Sequence, residues 1–257
     1  MFRILVIATL ILTVLPVAAN DCEAAPAPYK ASYSLTRKGK PAGFMRVILE
    51  RKSIDTFSYR MDTRVKWGIV SPSVLQSSDF TWGDGIVLPA RFQSIQKISF
   101  YKRSEFVDFN WKSMKATGRK KRADFELDIQ PGMQDKLSIY LLLARMLCNG
   151  EKTFDTDVVS GPVVKPYSYR FLANEQLDTK LGLLQTIHLR RGTLDSEKQT
   201  DLWHAEETRY LPVKLVYRNK GDVTTMELNE ISFSNDSDKF GYNPDVKHTL
   251  VTNHEHH

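Results

Sequence analysis

Apolar and polar side chains take turns along most of the chain. Ala31, Tyr33 and Leu35 alternate with Ser32, Ser34 and Thr36, which predicts a half-buried strand, and Met45, Val47 and Leu49 mark its return after an Arg37–Gly43 turn. Phe57, Tyr59, Met61, Thr63 and Val65 interleave with Ser58, Arg60, Asp62, Arg64 and Lys66. One face is aromatic or apolar and the other charged, the pattern of an antiparallel sheet wet on one side. Residues 67–80 are less regular and read as a loop with a short strand. Asp84-Gly85 is a tight turn signal. Strands follow at Ile95–Tyr101 and Glu105–Lys115, the latter with Val107, Phe109 and Trp111 on one face. Gly118–Arg122 reads as a basic hairpin tip before a strand at Ala123–Ile129.

Pro131-Gly132 interrupts the alternation, and Met133–Gly150 (MQDKLSIYLLLARMLCNG) has helical character instead. Asp135 is the expected N-cap and Gly150 the terminator. Only Asp135, Ser138 and Arg145 form a polar stripe, and a helix apolar nearly all round is a buried one. At about 21 Å it is too short to cross a bilayer. Beyond it, strands are expected at Thr153–Val159, Tyr167–Phe171, Gln185–Arg190, Asp201–Ala205, Pro212–Tyr217 and Val223–Phe233. In the last, Met226 and Leu228 have the opposite parity to Ile231 and Phe233, so a bulge is expected near Asn229-Glu230. The expected fold is mainly β: a single antiparallel curved sheet or incomplete β-barrel around one buried central helix.

The first residues read as a secretory signal peptide, 1–19: Arg3, the apolar Ile4–Leu15, Pro16, then the small residues Val17-Ala18-Ala19. The apolar run is short for a spanning helix, the alternative reading being an uncleaved anchor. Asn20 and Asp21 before Cys22 argue against lipidation. Residues 20–28 read as a linker, 29–233 as the β-rich domain, and 234–257 as a polar tail without periodicity. The implied location is the periplasm of a Gram-negative envelope.

Composition adds little about partners. The net charge of +6 falls by one with loss of Arg3, a mildly basic balance that speaks to solubility. Export removes a nucleic-acid reading of Arg119, Lys120, Lys121 and Arg122; as a hairpin tip they are either a solvated edge or a contact for anionic headgroups. The two cysteines, Cys22 and Cys148, are either a disulfide tying the tail to the helix end or two separate thiols.

Three stretches carry a resemblance: Gln134–Ser138 running into the helix and Arg145; Glu175–Gly182 (EQLDTKLG) ahead of the strand ending at His188; and Trp203 with Leu211–Lys214 and the hairpin to Glu227-Leu228. Together, over Tyr29–Phe233, they resemble the bacterial envelope family catalogued as domain of unknown function 3108. Lys136 stands where that pattern suggests Pro. The resemblance implies export and one β-rich domain, and no reaction or catalytic residues.

Candidate chemistry is sparse. Trp82…Leu88-Pro89 and Trp203…Leu211-Pro212 read as a recurrent strand–turn–strand element or as a duplication. His254, His256 and His257 with Glu255 resemble a chelating tract but lack a supporting shell, so no metal site is assigned. His188 has no nucleophile beside it, and no phosphate-loop, dinucleotide or cofactor fingerprint occurs. The expected function is therefore non-enzymatic binding of an amphipathic ligand or lipidated partner in an apolar groove lined by Tyr33, Phe57, Tyr59, Phe109 and Trp111. An envelope assembly factor and a hydrolase on envelope glycans or lipids are the alternatives. Oligomeric state is not legible.

Overall fold

The computed structural model describes residues 22–66, 68, 70–192 and 197–234; the segment expected to be a signal peptide and the His-containing tail lie outside them. Each strand turns back onto its sequence neighbour. The first eight are β1 (Tyr29–Arg37), β2 (Lys40–Arg51), β3 (Thr56–Val65), β4 (Ser73–Gly83), β5 (Ile86–Ile98), β6 (Tyr101–Asn110), β7 (Lys115–Lys120) and β8 (Ala123–Asp128). The helix α1 (Ser138–Cys148) follows, then β9 (Phe154–Val159), β10 (Val164–Thr179), β11 (Gly182–Arg191), β12 (Lys198–Ala205), β13 (Pro212–Asn219) and β14 (Asp222–Phe233). One further pairing, β1 with β14, joins the two runs into a 14-stranded antiparallel sheet ordered from β8 through β1 and β14 to β9. The sheet does not close. Its two edges are the strands flanking the helical segment.

That segment occupies the gap. Gln134 forms a parallel bridge to Val158 on β9, donating to the Asp157 carbonyl and accepting from the Val159 amide, both at 2.9 Å. Lys120 on β7 reaches across to the Ser160 carbonyl at 3.4 Å. From there α1 enters the concavity. Leu137 and Leu141 join a cluster with Phe57, Phe80, Phe92 and Val87. Ile139, Leu143 and Leu147 face Phe154, Tyr169, Leu189, Leu202 and Leu215 on the other run of strands. A helix apolar all round thus finds apolar neighbours all round. It fills most of the concavity.

The helix is shorter than its apolar pattern, because Met133–Leu137 form the bridge and a turn. Asp135 caps that turn: its Oδ1 accepts from the amides of Leu137 at 2.6 Å and Ser138 at 2.9 Å. The Ser138 hydroxyl accepts from the Asp135 amide at 2.9 Å, a reciprocal box.

Several boundaries differ from the periodicity. Residues 73–83 form one full strand, β4, where a loop and short strand were expected. Their face is mixed, Ser77, Ser78 and Asp79 lying between Leu75 and Phe80, so alternation is masked in the sequence. The first turn is only Lys38-Gly39, with Pro41 and Gly43 inside β2. Gly43 sits at a φ of 146°, and a Cβ there would lie 2.0 Å from the Arg64 carbonyl oxygen, so the backbone approach itself requires glycine. Gly118 belongs to β7, and the β7–β8 turn is Lys121-Arg122. The expected bulge is present: Ser32 pairs with Glu230 and Tyr33 with Leu228, leaving Asn229 over. Cys22 and Cys148 are disulfide-bonded, Ala25 packs on the core, and Trp82 Nε1 donates to the Glu23 carbonyl at 3.1 Å.

Candidate functional site

Beside α1 the sheet interior leaves a partly open cavity of about 110 Å³. Tyr33, Tyr59 and Tyr140 contribute rings, and Met45, Met61 and Met226 flexible thioethers. Strand parity brings them together, since Tyr33 pairs with Met45 and Leu35 with Met226 along the inward positions of β1. Tyr33 donates to the Pro212 carbonyl at 3.0 Å, and Tyr29 to the Tyr59 hydroxyl at 3.1 Å. Burial raises the phenol pKa of Tyr33, Tyr59 and Tyr140, so these groups are neutral donors or acceptors over the physiological range. The lining is uncharged and mostly apolar.

The five aromatics expected to line one groove do not act together. Tyr33 and Tyr59 line the cavity. Phe57 is fully buried in a stack on Phe80, with ring centroids 5.4 Å apart. Phe109 stacks on Trp111 at 5.9 Å, and Trp111 Nε1 donates to the Pro89 carbonyl at 2.7 Å, so this pair braces β5 against β6. All five share the inward face, but α1 covers part of it and leaves the remainder open.

A polar cluster lies on the opposite face of β10–β13. His188 stacks on Trp203 with centroids 4.1 Å apart; Glu175 Oε1 accepts from Trp203 Nε1 at 2.7 Å and lies 2.7 Å from His188 Nδ1. His188 Nε2 lies 3.6 Å from Asp201 Oδ1, outside hydrogen-bond reach. Asp201 is only 1% exposed; Arg190 holds it through two bonds of 2.6 and 3.1 Å, and Arg218 through a third. Burial pushes its carboxyl pKa up, but the bonds from the two guanidiniums outweigh burial and hold it below the usual value. Glu175, His188 and Trp203 sit at 13- and 15-residue intervals that no local motif joins. The shared parity of Glu175, Thr186 and His188 across the β10–β11 hairpin is the signal that could have paired them.

On the same hairpin, a cleft of about 440 Å³ is lined by Asn174, Gln185, His204, Glu206, Glu207 and Tyr210 among others. His204 Nδ1 meets the Tyr210 carbonyl at 2.7 Å, and burial pushes its pKa down to about 4, so it is neutral and Nδ1–H donates.

The basic tip is two pairs rather than one patch. Arg119 is bound by both oxygens of Asp124, and Lys120 folds toward Glu105 at 3.8 Å. Lys121 and Arg122 are exposed. Among the described residues no group of three or more His, Cys, Asp or Glu side chains is arranged to hold a metal ion, and no helix is long and apolar enough to cross a membrane.

An open antiparallel sheet rolled around one helix, with a residual cavity beside that helix, defines a β-barrel-like protein. The chain belongs to the family described as Protein of unknown function (DUF3108), whose model matches residues 29–229. A solved structure from Brucella abortus, a β-barrel-like protein of domain of unknown function DUF1849, is similar in fold at a TM-score of 0.60 and 11% identity, covering 81% of this chain and 98% of that one. No curated protein matches.

Proposed function

We propose that the protein is exported to the periplasm and there binds the apolar part of an amphipathic ligand, without chemistry, in the cavity beside α1. The observation that carries this reading is the cavity's make-up: three neutral tyrosines and three methionines around a partly open space. Methionine is the side chain that repacks most readily around differing apolar groups. At about 110 Å³ the space is well below the ~300 Å³ of a drug-sized pocket. It takes a short apolar group as it stands, and an acyl chain only with movement of Met61 or Met226. The signal peptide and the Cys22–Cys148 bond, which an oxidising compartment maintains, support export.

The test is native mass spectrometry and solvent extraction of protein purified from its own envelope, with titration of a fluorescent fatty acid as a second readout. An extracted amphiphile and saturable probe binding that Met61→Trp abolishes are expected. No extracted amphiphile together with no saturable binding would overturn the reading. Cell fractionation tests the location separately.

A further inference from the structure

The antiparallel meander puts the β1–β2, β3–β4, β5–β6, β7–β8 and β13–β14 turns at one end of the sheet. At that end the β5–β6 hairpin carries an apolar point. Phe100 is fully exposed at its tip, and the flanking pair Ile98 and Tyr101 is 44% and 51% exposed. Turn chemistry does not ask for this sequence. Ser99 stands at a φ of 52°, where turns favour Gly, Asn or Asp, and a polar residue would serve at position 100.

Cations surround the point. Lys97 pairs with Lys102 across the hairpin, Arg103 lies 4.8 Å from the Tyr101 ring, and Lys121 and Arg122 form the neighbouring turn, joined by the Lys121 amide to the Ser104 carbonyl at 3.0 Å. Among the described residues none of these five pairs with a carboxylate. The nearby acids are engaged elsewhere, Glu105 with Lys136 and Asp124 with Arg119. Like charges facing each other across a hairpin destabilise it. An exposed aromatic tip ringed by unpaired cations complements a surface that is apolar below and anionic above.

We infer that the Phe100 hairpin and the Lys121-Arg122 turn dock the protein on an anionic phospholipid bilayer, Phe100 entering the interface and the five cations meeting headgroup phosphates. The inference does not rest on the cavity, although Met61 lies on the half of β3 that leads to the same end.

Flotation of the full mature chain with vesicles of phosphatidylcholine, with and without phosphatidylglycerol, tests it. Binding only to the phosphatidylglycerol vesicles, weakening as salt rises, is expected. Phe100→Ser should lower partition about tenfold, and Lys121→Glu with Arg122→Glu by more than the roughly fivefold that each lost cation contributes. Both changes lie on exposed turns, and unaltered thermal unfolding verifies the fold. Equal binding to both vesicles, no binding to either, or binding unchanged in both variants would overturn the inference. So would a photo-crosslinker at position 100 that captures one envelope protein while vesicles go unbound. Probe binding in the cavity is read independently of all these outcomes.

Discussion

Asp135 Oδ2 accepts a hydrogen bond from Ser78 Oγ at 2.5 Å, fastening the capped turn before α1 to the middle of β4. Asp135 is fully buried, and its bonds to Ser78 and to the Leu137 and Ser138 amides stabilise the charged form while burial opposes it. Burial wins, so the carboxyl pKa is raised above 3.8. The folded protein therefore holds this proton more tightly than the unfolded chain, and this contribution to stability falls as pH rises from about 3.8 through the folded-state pKa. Asp135→Asn keeps the acceptor for the amides and removes the ionisation. It should stay within about 1 kcal/mol of the parent at neutral pH and flatten stability in that window, whereas Asp135→Ala should lose about 2–3 kcal/mol. Denaturant unfolding across the acid range measures both.

His204 works in the opposite sense. Burial sets its pKa at about 4 against an ordinary 6.5, so the unfolded chain binds the proton first. The stability it supports is fully present above pH 6.5 and is lost as pH falls toward about 4, on the order of 3 kcal/mol in total. His204→Gln should remove most of that acid sensitivity. Identical pH–stability curves for the two proteins would mean that the imidazole is not buried in its neutral form.

The Cys22–Cys148 bond spans 126 residues and joins the segment before β1 to the end of α1. Cross-linking so long a loop limits the unfolded chain, and removal of such a bond typically costs about 2–5 kcal/mol. Cys22→Ser with Cys148→Ser should unfold at lower temperature than the oxidised parent and no longer respond to reductant. The parent itself should respond.

Trp203 Nε1 and His188 Nδ1 share Glu175 Oε1, which pins the β10–β11 hairpin against β12. Glu175→Gln weakens the Trp203 bond, and its coupling with Trp203→Phe in a double-mutant cycle should be about 1 kcal/mol. The side chain of Glu175 is partly exposed, so solvent screens part of its electrostatic contribution. Hydrogen exchange should quicken across residues 173–186 in either variant and not in α1. Uniform change across the chain would assign the contact a global role instead.

Much of the element order was legible because strand and helix periods are local. The 2-residue alternation at Phe57–Val65, the Asp84-Gly85 turn and the Asn229 bulge each follow from side-chain parity within a few residues. The failures were local conflicts as well. Gln76 and Ser78 on the inward face hid β4, and Gln134, Asp135 and Ser138 drew the start of an apolar helical stretch into a bridge and a cap.

The candidate site was less legible. Inward aromatics were identifiable, but α1 separates Tyr33 and Tyr59, beside the cavity, from Phe57, Phe109 and Trp111, which pack among themselves or against the sheet. The exposed Phe100 continued an apparent strand and gave no sign of its position.

By itself the sequence determined that the apolar core of Met133–Gly150 is buried and that the strands are wet on one side. Those are consequences of amphipathicity, which is written residue by residue. Only the tertiary structure decided that β1 pairs with β14, that the gap falls between β8 and β9, and that α1 lies in the concavity while leaving about 110 Å³ open. Register between distant strands and the fit of one helix into a sheet depend on the sum of many packed volumes, and no stretch of chain carries that sum.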